Sequence, residues 1–188
     1  IEPSQQGELS ITVQNLSEIV DQYIVNVDGL DQDWLTVVPP RISLFPQDEG
    51  QVRIKLHPPD GARASTYGFF VKVVSRENPV EFSTAEGALD VAPVFLFDLG
   101  VVPQRKTTTG EDTAFSVQLR NPGNTEVVLE LSATDAEEAC TYAFGTAQIT
   151  VDAGGRAEVP LMVAPKDGAG EHRRLHRFTV RATPVGTP

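Results

Sequence analysis

The segment Asn15–Val27, N-L-S-E-I-V-D-Q-Y-I-V-N-V, returns in degenerate form as Asn121–Leu131, N-P-G-N-T-E-V-V-L-E-L. In each copy an alternating strand stops at an Asn-led turn and a second strand begins. The spacing from Asn15 to Asn121 is about 106 residues, the size of one immunoglobulin-like sandwich, so a chain of 188 residues reads as one module written twice. The residues downstream of the two copies also agree. Val52, Ile54 and Leu56 alternate with Arg53, Lys55 and His57 before Pro58-Pro59-Asp60-Gly61, and Val159, Leu161 and Val163 alternate before Pro165-Lys166-Asp167-Gly168.

The period of two recurs through both halves, which is the mark of strands with one buried face. Leu9, Ile11 and Val13 predict the first strand over Glu8–Gln14, and Tyr23, Val25 and Val27 the second over Gln22–Asp28, closed by Asp28-Gly29. Trp34, the single tryptophan, precedes a strand-like run that Pro39 and Pro40 end, and is expected in the core. Ile42 and Leu44, then a Pro46–Gly50 turn, then Val52–Leu56 read as a hairpin. Tyr67, Phe69, Val71 and Val73 form the next strand, and Phe82 with Leu89–Val91 the closing ones. Phe115–Leu119, Val127–Leu131, Ile149–Val151 and His176–Val180 repeat this order. No long helix is signalled: Ala133–Ala139 has helix formers but is short enough to read as a loop. The expected fold is therefore all-β, two tandem immunoglobulin-like antiparallel β-sandwiches in a rod, over 1–92 and 93–188.

Two features of this layout carry expectations of their own. Ala92–Gly100, A-P-V-F-L-F-D-L-G, is too apolar for a flexible linker and reads as a strand shared across a stiff joint, with Phe95 or Phe97 buried. The first module continues about 18 residues past its Val71–Val74 strand, whereas the second stops a few residues past Val180, so the second is expected to lack its last strand. Truncation is the blander explanation and completion by a partner strand the sharper one. Ile1 follows neither an initiator Met nor a signal-peptide pattern, which points to an excised or processed fragment and leaves extracellular, envelope and cytoplasmic settings open.

The formal charge of −11 disfavours nucleic acid and anionic membrane surfaces as partners, since both are bound through Lys and Arg. No stretch approaches the apolar length a spanning helix needs, so membrane insertion is not expected. His172, Arg173, Arg174, His176 and Arg177 form the one basic cluster and are the candidate partner-binding residues; a solvated strand edge is the plainer account. A metal would need a further ligand that the sequence does not place there, and no cofactor is expected. Asp28, Asp31 and Asp33 lack the spacing of a helix-loop-helix calcium site and suit turns. Cys140 alternates with Tyr142 and Phe144 as a small core residue rather than a nucleophile. No nucleophile elbow, phosphate cradle or paired carboxylates emerge, so an enzyme is not expected.

Asn15–Tyr23, D-W-L-T-V, S-L-F-P-Q-D-E-G-Q-V, H-P-P, N-P-G-N-T and V-A-P together resemble a bacterial family of tandem immunoglobulin-like repeat domains, some of whose members carry the labels hydrolytic or membrane protein. The resemblance spans Glu8–Ala182, is closer in the first module, and rests on turn and core positions. The second module departs from it in lacking the Trp and in its Gly154-Gly155 turn. It implies a non-catalytic scaffold, spacer or protein-binding unit in a larger surface or phage-tail-like assembly, contacting other proteins or further repeats. The alternative is a carbohydrate-binding or adhesion module presenting Trp34, Tyr67 or Tyr142, and a hydrolase accessory domain is a more distant third.

Overall fold

The computed structural model describes residues 1–107, 112–166 and 175–186. The chain divides into two units, Ile1–Pro93 and Val94–Pro188, each an immunoglobulin-like antiparallel β-sandwich with its own core.

Unit 1 contains β1 (Gly7–Gln14), β2 (Asp21–Asp28), β3 (Leu35–Val38), β4 (Arg41–Leu44), β5 (Glu49–Leu56), β6 (Ser65–Ser75) and β7 (Phe82–Val91). One sheet runs β1-β5-β3 and the other β4-β2-β6-β7. Alternation does here what the sequence suggests. On β5 Val52 and Ile54 are fully buried while Arg53 and Lys55 are exposed, and Val25 and Val27 on β2 and Phe69 and Val71 on β6 meet them from the facing sheet.

Unit 2 contains β8 (Asp98–Val102), β9 (Thr113–Arg120), β10 (Val127–Asp135), β11 (Cys140–Phe144), β12 (Gln148–Val151), β13 (Arg156–Pro165) and β14 (Phe178–Pro184), in sheets β11-β13-β9-β8 and β12-β10-β14. On β13 the burial seen on β5 of unit 1 recurs. Val159, Leu161 and Val163 are 1%, 0% and 7% exposed, against 0%, 0% and 7% for Val52, Ile54 and Leu56.

The two Asn-led turns are built alike. Asn15 Nδ2 donates to Ile19 O (2.8 Å) and Leu44 O (3.1 Å), and its Oδ1 accepts Ser17 N–H (3.0 Å). Asn121 Nδ2 donates to Thr125 O (2.7 Å) and Val151 O (2.9 Å), and its Oδ1 accepts Gly123 N–H (2.9 Å). Each Asn is wholly buried and ties the end of a strand in one sheet to the end of a strand in the other. An amide does this because it offers both donors and an acceptor from one short, stiff side chain.

Three expectations change. Ile42–Leu44 and Val52–Leu56 are not a hairpin: β4 pairs with β2 and β5 with β1 and β3, so the Phe45–Asp48 turn crosses between sheets. The two strands pack face to face, close enough that a Cβ on Gly50 would lie 2.2 Å from Ile42 Cδ1. Ala133–Ala139 is not wholly loop, because β10 continues through Asp135, paired with β14. Ala92–Gly100 is not one shared strand either: β7 ends at Val91, β8 begins at Asp98, and the intervening residues belong to no strand. Phe97 packs into the core of unit 2, whereas Phe95 is 41% exposed.

Candidate protein-binding surfaces

The basic cluster is only partly brought into view. His172, Arg173 and Arg174 lie outside the described residues. Arg177 is exposed, and His176 is half-buried just before β14, with Nδ1 3.7 Å from Glu137 Oε2. That separation is an ion-pair distance rather than a hydrogen bond, and Nδ1 is itself buried without a hydrogen-bond partner. Among the described residues no three His, Cys, Asp or Glu side chains gather closely enough to hold a metal ion.

The remaining polar candidates resolve into turn and strand-end chemistry. Asp135 Oδ1 accepts Ala139 N–H (2.8 Å), and Oδ2 accepts Cys140 N–H (3.2 Å) and Tyr142 Oη–H (2.6 Å). The Tyr142 bond, then the backbone ones, hold the Asp135 carboxyl below its ordinary value, while burial and Asp135 push the Tyr142 hydroxyl up. Burial first, with the Asp135 charge behind it, pushes the Cys140 thiol up, so Cys140 is a protonated core residue rather than a thiolate. Asp31 caps the 3₁₀ turn Gln32–Trp34 by accepting Asp33 N–H (3.2 Å). Trp34 and Tyr67 are half-buried and meet edge to face, with centroids 5.0 Å apart and planes at 71°. Tyr142 packs against Phe178 in the other unit. The three rings thus form no exposed coplanar platform of the kind a sugar stacks on.

Two surfaces that remain are apolar. The first is one pole of unit 1, where the turns 15–20, 45–48 and 76–81 meet. Gln47 N–H donates to Asn15 O (2.8 Å) and Arg76 N–H to Gln22 O (2.9 Å). Asp21, buried at this pole, accepts from Ser75 Oγ (2.5 Å), Gln22 N–H (2.6 Å) and Glu77 N–H (3.3 Å). Burial pushes the Asp21 carboxyl up, but these hydrogen bonds outweigh it and leave the carboxyl below its ordinary value. On this braced platform stand Leu16 (73% exposed), Ile19 (58%), Val20 (51%), Phe45 (67%) and Val80 (85%). The matching turn of unit 2 carries Pro122, Gly123, Asn124 and Glu126 instead, and it is covered. Val94 N–H donates to Asn124 Oδ1 (2.7 Å), Asn124 N–H donates to Val94 O (3.3 Å), and a Cβ on Gly123 would lie 2.1 Å from Val94 O. Hydrophobic periodicity does not mark the pole, because its residues lie in turns. The readable signal is Leu, Ile, Val and Phe in turn segments where polar residues are the rule.

The second surface is the outer edge of β14. Phe178 and Val180 on β14 stand where Phe69 and Val71 stand on β6. Val27 pairs with Val71 and Ala133 with Val180, and Val27 and Ala133 each lie 12 residues beyond the buried Asn of their own unit, Asn15 and Asn121. Phe69 and Val71, on a strand flanked by β7, are each 3% exposed, whereas Phe178 and Val180 are half-buried. Among the described residues no strand lies beyond β14 in its sheet.

No family model matches the chain and no curated protein matches it. Solved structures do. A Porphyromonas gingivalis W83 protein of unknown function is 18% identical, with 87% of this chain and 77% of that chain covered and a TM-score of 0.36. The Pseudomonas aeruginosa CupB2 chaperone is 15% identical over 94% of this chain and 92% of that one, at a TM-score of 0.35. A chain of the CsuC–CsuE chaperone–tip adhesion subunit pre-assembly complex from the archaic chaperone-usher Csu pili of Acinetobacter baumannii is 12% identical over 96% of this chain and 93% of that one, at a TM-score of 0.34.

Proposed function

We propose that this chain is a non-catalytic protein-binding module, a scaffold or spacer in a larger surface or tail-like assembly. The observation that carries the reading is the apolar pole of unit 1. Five large apolar side chains are held in water by turns whose own polar groups are buried and hydrogen-bonded, which is an arrangement for contact rather than for chemistry. Leaving Phe45 and Val80 exposed costs free energy that a partner's apolar surface recovers on binding. The polar groups that could serve a reaction are instead engaged in capping turns and joining sheets.

The test is photocrosslinking from the pole. A photoreactive amino acid replaces Phe45 in one variant and Val80 in another, in the full-length protein within its own cells. The expected result is a discrete protein adduct from each position, lost when Leu16→Asp and Ile19→Asp are added. Adducts with glycan alone, or none at either position, overturn the reading.

A further inference from the structure

The charges around the apolar pole of unit 1 say what kind of surface it meets. Of the ionisable residues exposed on its three turns and at their ends, Glu18, Asp48, Glu49, Glu77 and Glu81 are acidic and Arg76 alone is basic. Arg76 does not neutralise them, since its Nη1 donates to Gln22 Oε1 (3.0 Å). Among the described residues no ion pair engages Glu18, Glu77 or Glu81. Glu18 lies between Leu16 and Ile19, Glu81 follows Val80, and Asp48 N–H donates to Phe45 O (3.1 Å), so a carboxylate borders the apolar centre from each turn.

This rim is held in place. Asn15 N–H donates to Asp48 O (3.0 Å), Ser75 N–H to Glu81 O (3.3 Å) and Glu81 N–H to Asn78 O (2.9 Å), and turns already ordered lose less freedom on association. Burial first, then the charges of Asp21 and Glu81, push the Tyr23 hydroxyl up, and that hydroxyl donates to Asn15 Oδ1 (2.8 Å), so the Glu81 charge is felt at the pole itself. The pole is built wholly of described residues, at the opposite end of β7 from Val91, where Ile1 N–H donates to Asp90 O (2.6 Å) and Ala92 N–H to Ile1 O (2.9 Å).

An apolar centre with a negative rim narrows the occupant. A second copy of the chain would set the patch on its like across a two-fold axis and bring acidic rim against acidic rim. An anionic lipid surface repels the same rim. A protein surface that is apolar at its centre and carries Lys and Arg at its edge satisfies both parts: its apolar side chains cover Phe45 and Val80, and its cations meet the carboxylates around them. We propose, resting on the protein-binding reading above, that the pole docks a partner protein of different sequence whose contact face is an apolar patch rimmed by Lys and Arg, with Glu18, Glu77 and Glu81 orienting it. The rim governs the rate and orientation of encounter, and the apolar centre governs how long the complex lasts.

The experiment adds a water-soluble carbodiimide, which joins carboxylates to amines at zero length, to cell extracts holding the full-length protein with the photoreactive residue at Phe45. Mass spectrometry of the irradiated adduct is expected to show links from Glu18, Glu77 or Glu81 to Lys of the same protein that Phe45 captures. Glu18→Lys with Glu81→Lys should lower the yield of that adduct about tenfold or more, and Glu18→Gln with Glu81→Gln less so. Raising the salt from about 0.05 M to about 0.5 M should lower the yield as well. The urea midpoint read from Trp34 should stay unchanged in both double variants, which separates lost docking from lost folding. A Phe45 protein adduct with no carboxylate link, one indifferent to charge reversal, or one with a second copy of the chain would each overturn the proposal and leave the proposed function standing. A lipid adduct alone, or none from Phe45 and Val80, overturns both.

Discussion

Asn15→Ala separates a structural account of the Asn-led turn from a recognition account. The substitution removes both Nδ2 bonds, to Ile19 O and Leu44 O, and takes the acceptor away from Ser17 and the Tyr23 hydroxyl. Ser17 is exposed and Tyr23 half-buried, so water can replace much of what those two lose. Leu44 is buried, and its carbonyl is left without that donor. Two hydrogen bonds at about 1 kcal/mol each, plus about 1–2 kcal/mol for a stranded buried acceptor, give a loss of about 3–4 kcal/mol. A domain of this size has about 5–10 kcal/mol in all, so the variant should fold but only narrowly. Trp34 is the single tryptophan and packs against Tyr67 in unit 1, so its fluorescence during urea unfolding reports this unit. With a slope of about 1 kcal/mol per molar urea, the midpoint should fall by about 3–4 M. Asn15→Asp should do no better, because a carboxylate keeps the acceptor but turns a second oxygen on the two carbonyls. A loss below about 1 kcal/mol for Asn15→Ala would refute the argument that the amide staples the sheets together.

Gly123→Ala should displace Val94–Leu96 from the Asn121 turn, because the new Cβ meets Val94 O; limited chymotrypsin digestion should then cut faster after Phe95 or Leu96. The Asp21 carboxyl has a folded pKa below its unfolded value, so its contribution to stability is present above about pH 4 and disappears as pH falls through the folded pKa. Asp21→Asn should lower the urea midpoint at pH 7 and flatten its decline below pH 4, both read from Trp34. Cys140, buried with its thiol pushed up, should react with a thiol reagent at pH 8 about a hundredfold more slowly than in urea.

The strands are legible in the sequence where one face is buried and the other wet. Val52, Ile54 and Leu56 alternate with charged residues, and the Asn-led turns mark the same joint twice. Assignment of strands to sheets is not legible in the same way. Ile42 and Leu44 have the alternation of a hairpin partner, but the identical pattern suits a strand facing β5 across the core, and only the pairing of β4 with β2 decides between them. Ala133–Asp135 opens a run of helix formers with no strand period, and the ladder to Phe178, Thr179 and Val180 overrides that local preference. The run Val94–Leu99 resembles one strand because its apolar residues serve two tasks: Val94 is clasped by Asn124, and Leu99 pairs with Leu119 on β9. The apolar pole is hidden for the opposite reason, since turns have no period to break.

The two units fail to match at their edges in a way that bears on what the edges are for. Unit 2 has β8 beside β9; unit 1 has no described strand beside β1 in that sheet. Unit 1 has β7 beside β6, and unit 2 has no described strand beside β14. Exposure follows these differences on both sides. Leu9 is 36% exposed and Ile11 half-buried on β1, while their counterparts Phe115 and Val117 on β9, flanked by β8, are 9% and 0% exposed. Phe178 and Val180 stand in the same relation to Phe69 and Val71. Ile11, Phe178 and Val180 nevertheless pack inward against the core of their own unit, and that contact accounts for their apolar identity at positions that no described neighbouring strand flanks.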